Sequence, residues 1–324
     1  MRTIASTLGT LALTLTFVAS PEAIAYCWGQ VYSIINFDAS QGEKPESVAV
    51  DTSGNVYVSV ATTGNILKRT PYGYVSTYAN IDAGPGFVLG LATEGTGTVY
   101  AAVASFVPGT HGVYKVSPGG QVEMIADFDA ATTLPDDVAL SYDGYLYVTE
   151  AIGGAIHRID MATYESEEWF QDELLVGGDP DSGLSFPVGA NGLALNGYSL
   201  VVSNTEGGRL VQIPIDCDGD PGDPTVLAEE PILEGADGIA LDVFGNVYVT
   251  VNADNLLLRV SSYNGDIDIL ADEDDGLDFP TAVAFGRGFD RMSLYITNFA
   301  FYSGDTGNPA LLKTYVGSPG LPLP

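Results

Sequence analysis

Asp237 stands directly before an apolar alternating run, in "ADGIALDVFGNVYVTV", where a carboxylate could serve as a metal ligand or a base if other oxygens joined it. Five other segments share that phase: "PESVAVDTSGNVYVSV" from Pro45, "VLGLATEGTGTVYAAV" from Val88, "PDDVALSYDGYLYVTE" from Pro135, "ANGLALNGYSLVVSN" from Ala190 and "PTAVAFGRGFDRMSLYITN" from Pro280. The positions equivalent to Asp237 are Glu46, Leu89, Asp136, Asn191 and Thr281. A single Asp or Asn before a strand is ordinarily a turn residue. Here the phase is fixed by the apolar pattern, independently of the oxygens it delivers. Three carboxylates crowded on one axis must repel one another or take up protons, and a hard cation relieves both. Calcium accepts six to eight oxygens at roughly 2.3–2.6 Å, leaving positions for water or substrate beyond four protein ligands. No Cys or His occupies these positions, which disfavours zinc. The expected ligands of Ca2+, or of another divalent cation, are therefore Glu46, Asp136, Asn191 and Asp237.

Those residues converge only if the elements carrying them are arranged around an axis. The six segments start at residues 45, 88, 135, 190, 236 and 280, and each reads as two strands joined by a turn usually rich in Gly, Asn or Asp. Most are followed by a third strand, such as "NILKRT" or "LLLRVS", and often by a fourth, such as "YVSTYAN" or "DIDILAD". Four strands per unit at this period predict an all-β fold, a six-bladed β-propeller of four-stranded antiparallel blades. The last unit lacks a fourth strand after "ALLKTYV", and "VYSIINF" at 31–37 is an orphan strand ahead of the first. Pairing the two closes the ring and removes an open edge. In a blade the first strand is innermost, so Asp237 and its equivalents begin at one mouth of the central channel. The connections between second and third strands share that face and bring His111, Glu150, Asn204, Phe299 and Tyr302 toward a substrate.

Eleven Lys and Arg against 42 Asp and Glu give a net charge of -31, which argues against nucleic acid and anionic membranes as partners. Arg2, the apolar stretch Leu8 to Ala19 and Ala23-Ile24-Ala25 read as a signal peptide, residues 1–25, ahead of a single domain over 26–324. A secreted, extracellular or periplasmic protein is expected, acting as a monomer on a small molecule. Cys27 and Cys217 could form a disulfide in that compartment. "DCDGDPGDP", residues 216–224, begins like a calcium loop, but Pro221 replaces the required Gly and Leu227 the closing Glu, so it reads as an acidic surface loop. No G-x-S-x-G elbow or phosphate-binding Gly-rich loop is present, and His157, within a third strand, reads as structural.

The phrases "PESVAVD", "PDDVALSYDGYLYVTE", "GANGLALNGYSLVVSNT", "GADGIALD" and "FPTAVAFG…SLYITN" resemble the senescence marker protein, gluconolactonase and luciferin-regenerating enzyme family. Its wider relatives include diisopropyl fluorophosphatase, paraoxonase and strictosidine synthase. The resemblance covers all six blades and implies a central divalent cation, commonly calcium, held by a Glu, two Asn and an Asp. Glu46 matches the first-blade Glu, Asn191 the fourth-blade Asn, and Asp237 the fifth-blade Asp, which is both a ligand and the proposed catalytic base or nucleophile. Two positions depart from the pattern. Asp136 replaces the third-blade Asn, and Leu134 replaces the Arg with which gluconolactonases hold their substrate, which speaks against a sugar lactone. The expected function is calcium-dependent hydrolysis of a small lactone, ester or phosphoester. The alternatives are a non-catalytic calcium-stabilised binding or structural propeller, and a synthase-like propeller of the strictosidine synthase type.

Overall fold

Alternating β-branched and aromatic residues bounded by Gly-containing turns produce strands and almost nothing else. The computed structural model describes residues 29–178, 187–304 and 307–324, and among them only strands and short 3-10 turns occur as regular elements. The leader and Cys27 lie outside the described residues. Twenty-four strands form six four-stranded antiparallel sheets arranged as a propeller. The inner strands are Pro45–Val50, Phe87–Glu94, Pro135–Leu140, Ala190–Leu195, Ala236–Leu241 and Pro280–Phe285. They define blades 1 to 6 in that order.

The ring closes as the sequence predicts. Tyr32–Asn36 pairs antiparallel with Ala310–Tyr315 and supplies the outer strand of blade 6. Each blade buries a face against the next, so the core is divided into inter-blade clusters. Tyr57, Ile66, Leu91 and Val103 pack between blades 1 and 2, and Val48, Val58, Tyr295 and Leu311 between blades 6 and 1. Five blades place a tyrosine of the second strand in this wedge, namely Tyr57, Tyr100, Tyr147, Tyr248 and Tyr295, all almost fully buried. Four of their hydroxyls reach an acid near the inner hairpin turn of their own blade: Asp51, Glu94, Asp242 and Asp290. In these four blades an apolar ring thus packs the interface while its polar tip remains bonded.

One irregularity repeats in every blade. The pairing of inner and second strands breaks register once, at 45/48, 88/91, 135/138, 190/193, 236/239 and 280/283. A bulge bends its strand and re-aims the side chains within it. Glu46, Asp136, Asn191 and Asp237 all lie inside these bulges.

The 216–224 segment is a surface turn in which Asp216 Oδ1 accepts the amides of Asp218 (2.8 Å) and Asp220 (2.9 Å). Cys217 is exposed on it. His157 packs against Phe128, ring centroids 4.7 Å apart, in keeping with a structural role.

Candidate functional site

The six bulges meet at one mouth of the channel. Glu46, Asp136, Asn191, Asp237 and Thr281 line a common void there, together with Asp137 and the backbone of Gly90, Gly192 and Gly238. The void measures about 10 Å³, room for one water-sized particle. All four expected ligands are buried. Leu89, the apolar equivalent in blade 2, packs instead beside the cluster of Ala104, Leu134, Ala151 and Val188.

A collar of hydroxyls holds the bulges in place. Ser203 Oγ receives the Gly192 amide and donates to Asp237 O (2.6 Å) in the next blade. Thr250 Oγ1 donates to Thr281 O (2.9 Å), and Thr297 Oγ1 receives the Ala282 amide and donates to Glu46 O (2.7 Å) across the ring closure. Ser59 and Thr149 receive the Ser47 and Asp137 amides in blades 1 and 3. The source is a Ser or Thr at the fourth position of the aligned second-strand segments "VYVSV", "LYVTE", "LVVSN", "VYVTV" and "LYITN", with Ala102 the exception in blade 2. Glycine follows Asn191 and Asp237, where adjacent inner strands come too close for a side chain. A Cβ on Gly192 would lie 2.3 Å from Asp237 O, and one on Gly238 2.6 Å from Ala282 Cα.

Electrostatically the site is under-compensated. Burial, then the charges of Asp237, Asp136 and Asp137, raises the Glu46 pKa well above the usual carboxylate range. Asp136 is pushed up to about 7 by burial and then by Asp137 and Glu150. Asp237 is raised by burial and Asp136, against a weak opposing bond from Asn252 Nδ2 at 3.4 Å. Glu46 Oε2 is buried without any hydrogen-bond partner. An orphaned carboxylate oxygen is costly in a site of this polarity, and an ion-sized void at the meeting point of three carboxylates and an amide is the arrangement a hard cation would satisfy. Among the described residues, no three carboxylate, imidazole or thiol groups already form a coordination shell. The donor set, three carboxylates and an amide around one void, fits a divalent cation in its chemistry.

Asp137 was not singled out from sequence. It is also pushed up to about 7, chiefly by burial, although the amides of Leu193 (2.9 Å) and Val138 (2.8 Å) bond to it. By receiving Leu193 it ties blade 3 to blade 4, as Ser47 Oγ ties blade 1 to the Leu91 amide of blade 2.

The loops on this face divide into two kinds. Glu150 is buried and accepts the amides of Leu134, Ile152 and Gly153, which fixes its own turn. Asn204 is fully buried, donates to Leu174 O and Val176 O, and accepts the Gly207 amide. His111 is fully buried, with Nδ1 receiving the Phe106 amide and Nε2 paired with Thr133 Oγ1, and burial lowers its pKa. These three side chains are spent on loop architecture in the structure. Phe299 and Tyr302 belong to an aromatic cluster with Phe279 and Phe301, in which Tyr302 is 69% exposed and meets Phe279 edge-on at 5.2 Å. Lys44 Nζ anchors this loop through Ala300 O (2.7 Å).

Known proteins show the same architecture. The family described as strictosidine synthase-like, N-terminal, matches residues 36–69. A regucalcin from Agrobacterium tumefaciens, described as a calcium-binding protein, superposes with a TM-score of 0.68 at 16% identity, covering 91% of this chain and 96% of its own. A luciferin-regenerating enzyme gives 0.67 at 16%, with 90% and 97% covered. A gluconolactonase from Xanthomonas campestris gives 0.65 at 16%, with 90% and 89% covered. No curated protein matches the sequence. These likenesses, at 16% identity, show the fold over nearly the whole chain.

Proposed function

We propose that the protein is a divalent-cation-dependent hydrolase of a small lactone, ester or phosphoester, exported after loss of residues 1–25. One observation carries the reading: Glu46, Asp136 and Asp237, with Asn191, surround an ion-sized void that leaves Glu46 Oε2 unpartnered. Calcium bound there would offset the carboxylate charge and polarise a scissile carbonyl or phosphoryl oxygen. Asp237 is the proposed base, receiving a proton from the water that attacks the substrate, with Asn252 steadying its Oδ2. Its backbone carbonyl is pinned by Ser203, so the side chain is aimed by the bulge and not by loop motion. Leu134, buried among Ala104, Ala151 and Val188, offers no cation to a polyhydroxylated substrate and favours an apolar acyl portion.

A second reading, a propeller whose cation only ties the blades, is supported by the collar, which already binds inner strands to their neighbours. The separating experiment is a screen of aliphatic and aryl esters, lactones and phosphotriesters in calcium and in chelator. Hydrolysis that disappears with the metal and returns on repletion supports the enzyme. Calcium binding with no turnover across the panel favours the structural role.

A further inference from the structure

The opposite end of the channel has a different chemistry. There the C-terminal segment crosses the ring. Val243 N donates to Pro319 O (3.0 Å), Gly320 N to Arg291 O (2.9 Å), Leu321 N to Leu241 O (2.8 Å), and Ser318 Oγ to Asp242 Oδ2 (2.8 Å). Above it lies a cavity of about 110 Å³ lined by Val50, Leu140, Leu195, Leu241 and Phe285 and capped by Leu323. Arg287 also lines this cavity. Its Nη2 makes one long hydrogen bond, to Leu323 O at 3.4 Å, and among the described residues no carboxylate lies within ion-pairing distance of it. The turns bordering this mouth in blades 3 to 6 each carry a largely exposed aromatic ring, at Tyr142 (74%), Tyr198 (84%), Phe244 (71%) and Phe289 (105%).

We propose that this end of the channel is a binding site for a short-chain aliphatic carboxylate, with Arg287 taking the head group and the apolar lining taking the chain. A half-buried guanidinium without a carboxylate partner is an incomplete ion pair, and an anion completes it with charge-assisted hydrogen bonds. The lining is mostly aliphatic and aromatic and offers the chain apolar contact, with Ser47, Thr93 and Asp137 as its polar members besides Arg287. An apolar cavity of about 150 Å³ accommodates benzene, so the volume here suits a chain of about four to six carbons. In a protein of net charge -31 a diffuse electrostatic attraction cannot account for anion binding, so occupancy would report this local site. The cavity shares Ser47, Asp137, Gly238 and Ala282 with the void at the opposite mouth, but the proposal requires no reaction there.

The test uses pentanoate, with acetate, pentylammonium and pentan-1-ol as comparisons, read by melting temperature and by titration. Pentanoate should stabilise the protein with an affinity at least tenfold above acetate and pentylammonium. Arg287→Gln should weaken pentanoate about tenfold or more while leaving pentan-1-ol unchanged, and Ala284→Leu, which fills the channel, should weaken both. No stabilisation by pentanoate, or equal stabilisation of wild type and Arg287→Gln, overturns the proposal. Should Ala284→Leu fail to fold, nuclear Overhauser contacts between pentanoate and the Leu241 and Val283 methyl groups decide the matter in the wild-type protein. Their absence at saturating pentanoate overturns it equally.

Discussion

Asp237 combines two demands at the residue scale, since a metal ligand must be ionised and a base must be able to accept a proton. Asp237→Asn keeps a ligating oxygen and removes the base, so kcat should fall roughly 100-fold or more while the calcium content, measured on the same samples, is at least partly retained. Full turnover by a calcium-loaded variant would leave Asp237 a purely structural role. The neighbouring acids set a pH dependence. In chelator, Asp136 and Asp137 hold their protons to about pH 7 in the fold, against an ordinary value of 3.8. The native state then binds more protons than the unfolded chain, and stability present below about pH 4 is lost as the pH rises toward 7. His111 and His157, whose pKa values burial lowers, act in the opposite sense below about 6.5. Between pH 6.5 and 8 the chelated protein should therefore lose melting temperature, and excess calcium should reduce that loss. A rise over the same interval in chelator would contradict the picture.

The bulge and its collar are the relevant elements. That Glu46, Asp136, Asn191 and Asp237 meet at one void was legible in the sequence because the alternating pattern fixes phase, and phase fixes which residue begins each inner strand. The bulges were not, because "ESVAV" and "DGIAL" alternate as any strand does, and register is a property of the pair. The Ser or Thr collar left a visible trace at one aligned position of five second strands. Its meaning depends on the next blade, which no local pattern reveals. Asp137 escaped notice for the same reason, since its partner is the Leu193 amide of the following blade. Thr297 is the collar residue at the ring closure, bonded to Glu46 O, Thr281 Oγ1 and the Ala282 amide. Thr297→Val keeps the shape and strands these groups, so unfolding in urea should show a loss of about 1–3 kcal/mol. An unchanged midpoint and slope would mean that water replaces the hydroxyl.

For the whole molecule, closure and charge dominate. The closing strand was legible from a missing strand at one end and an orphan at the other. Deleting residues 29–37 exposes the edge of Ala310–Tyr315, and the truncated protein should melt earlier and self-associate, as followed by light scattering. A monomeric truncated protein with an unaltered melting temperature would show that the closing strand is dispensable. The charge of -31 makes the native state repel itself, and the four ion pairs among the described residues engage few of the carboxylates. Added sodium chloride should raise the melting temperature between low and physiological ionic strength through screening alone.

The closing strand also imposes an order in time. Tyr32–Asn36 leaves the ribosome early, while its partner Ala310–Tyr315 is among the last strands made. At about 5–20 residues per second the early strand waits roughly 14–55 s with its hydrogen bonds unmet by the chain. During that interval the blades already synthesised can pack, but the circle stays open and the edge strand remains available to holdase chaperones or, in an exported chain, to a translocation channel that needs it unfolded. Nascent chains arrested near residue 300 should therefore remain open to protease around residues 32–36. Chains released at full length should be protected there, and equal protection at both lengths would show that the strand finds another partner first.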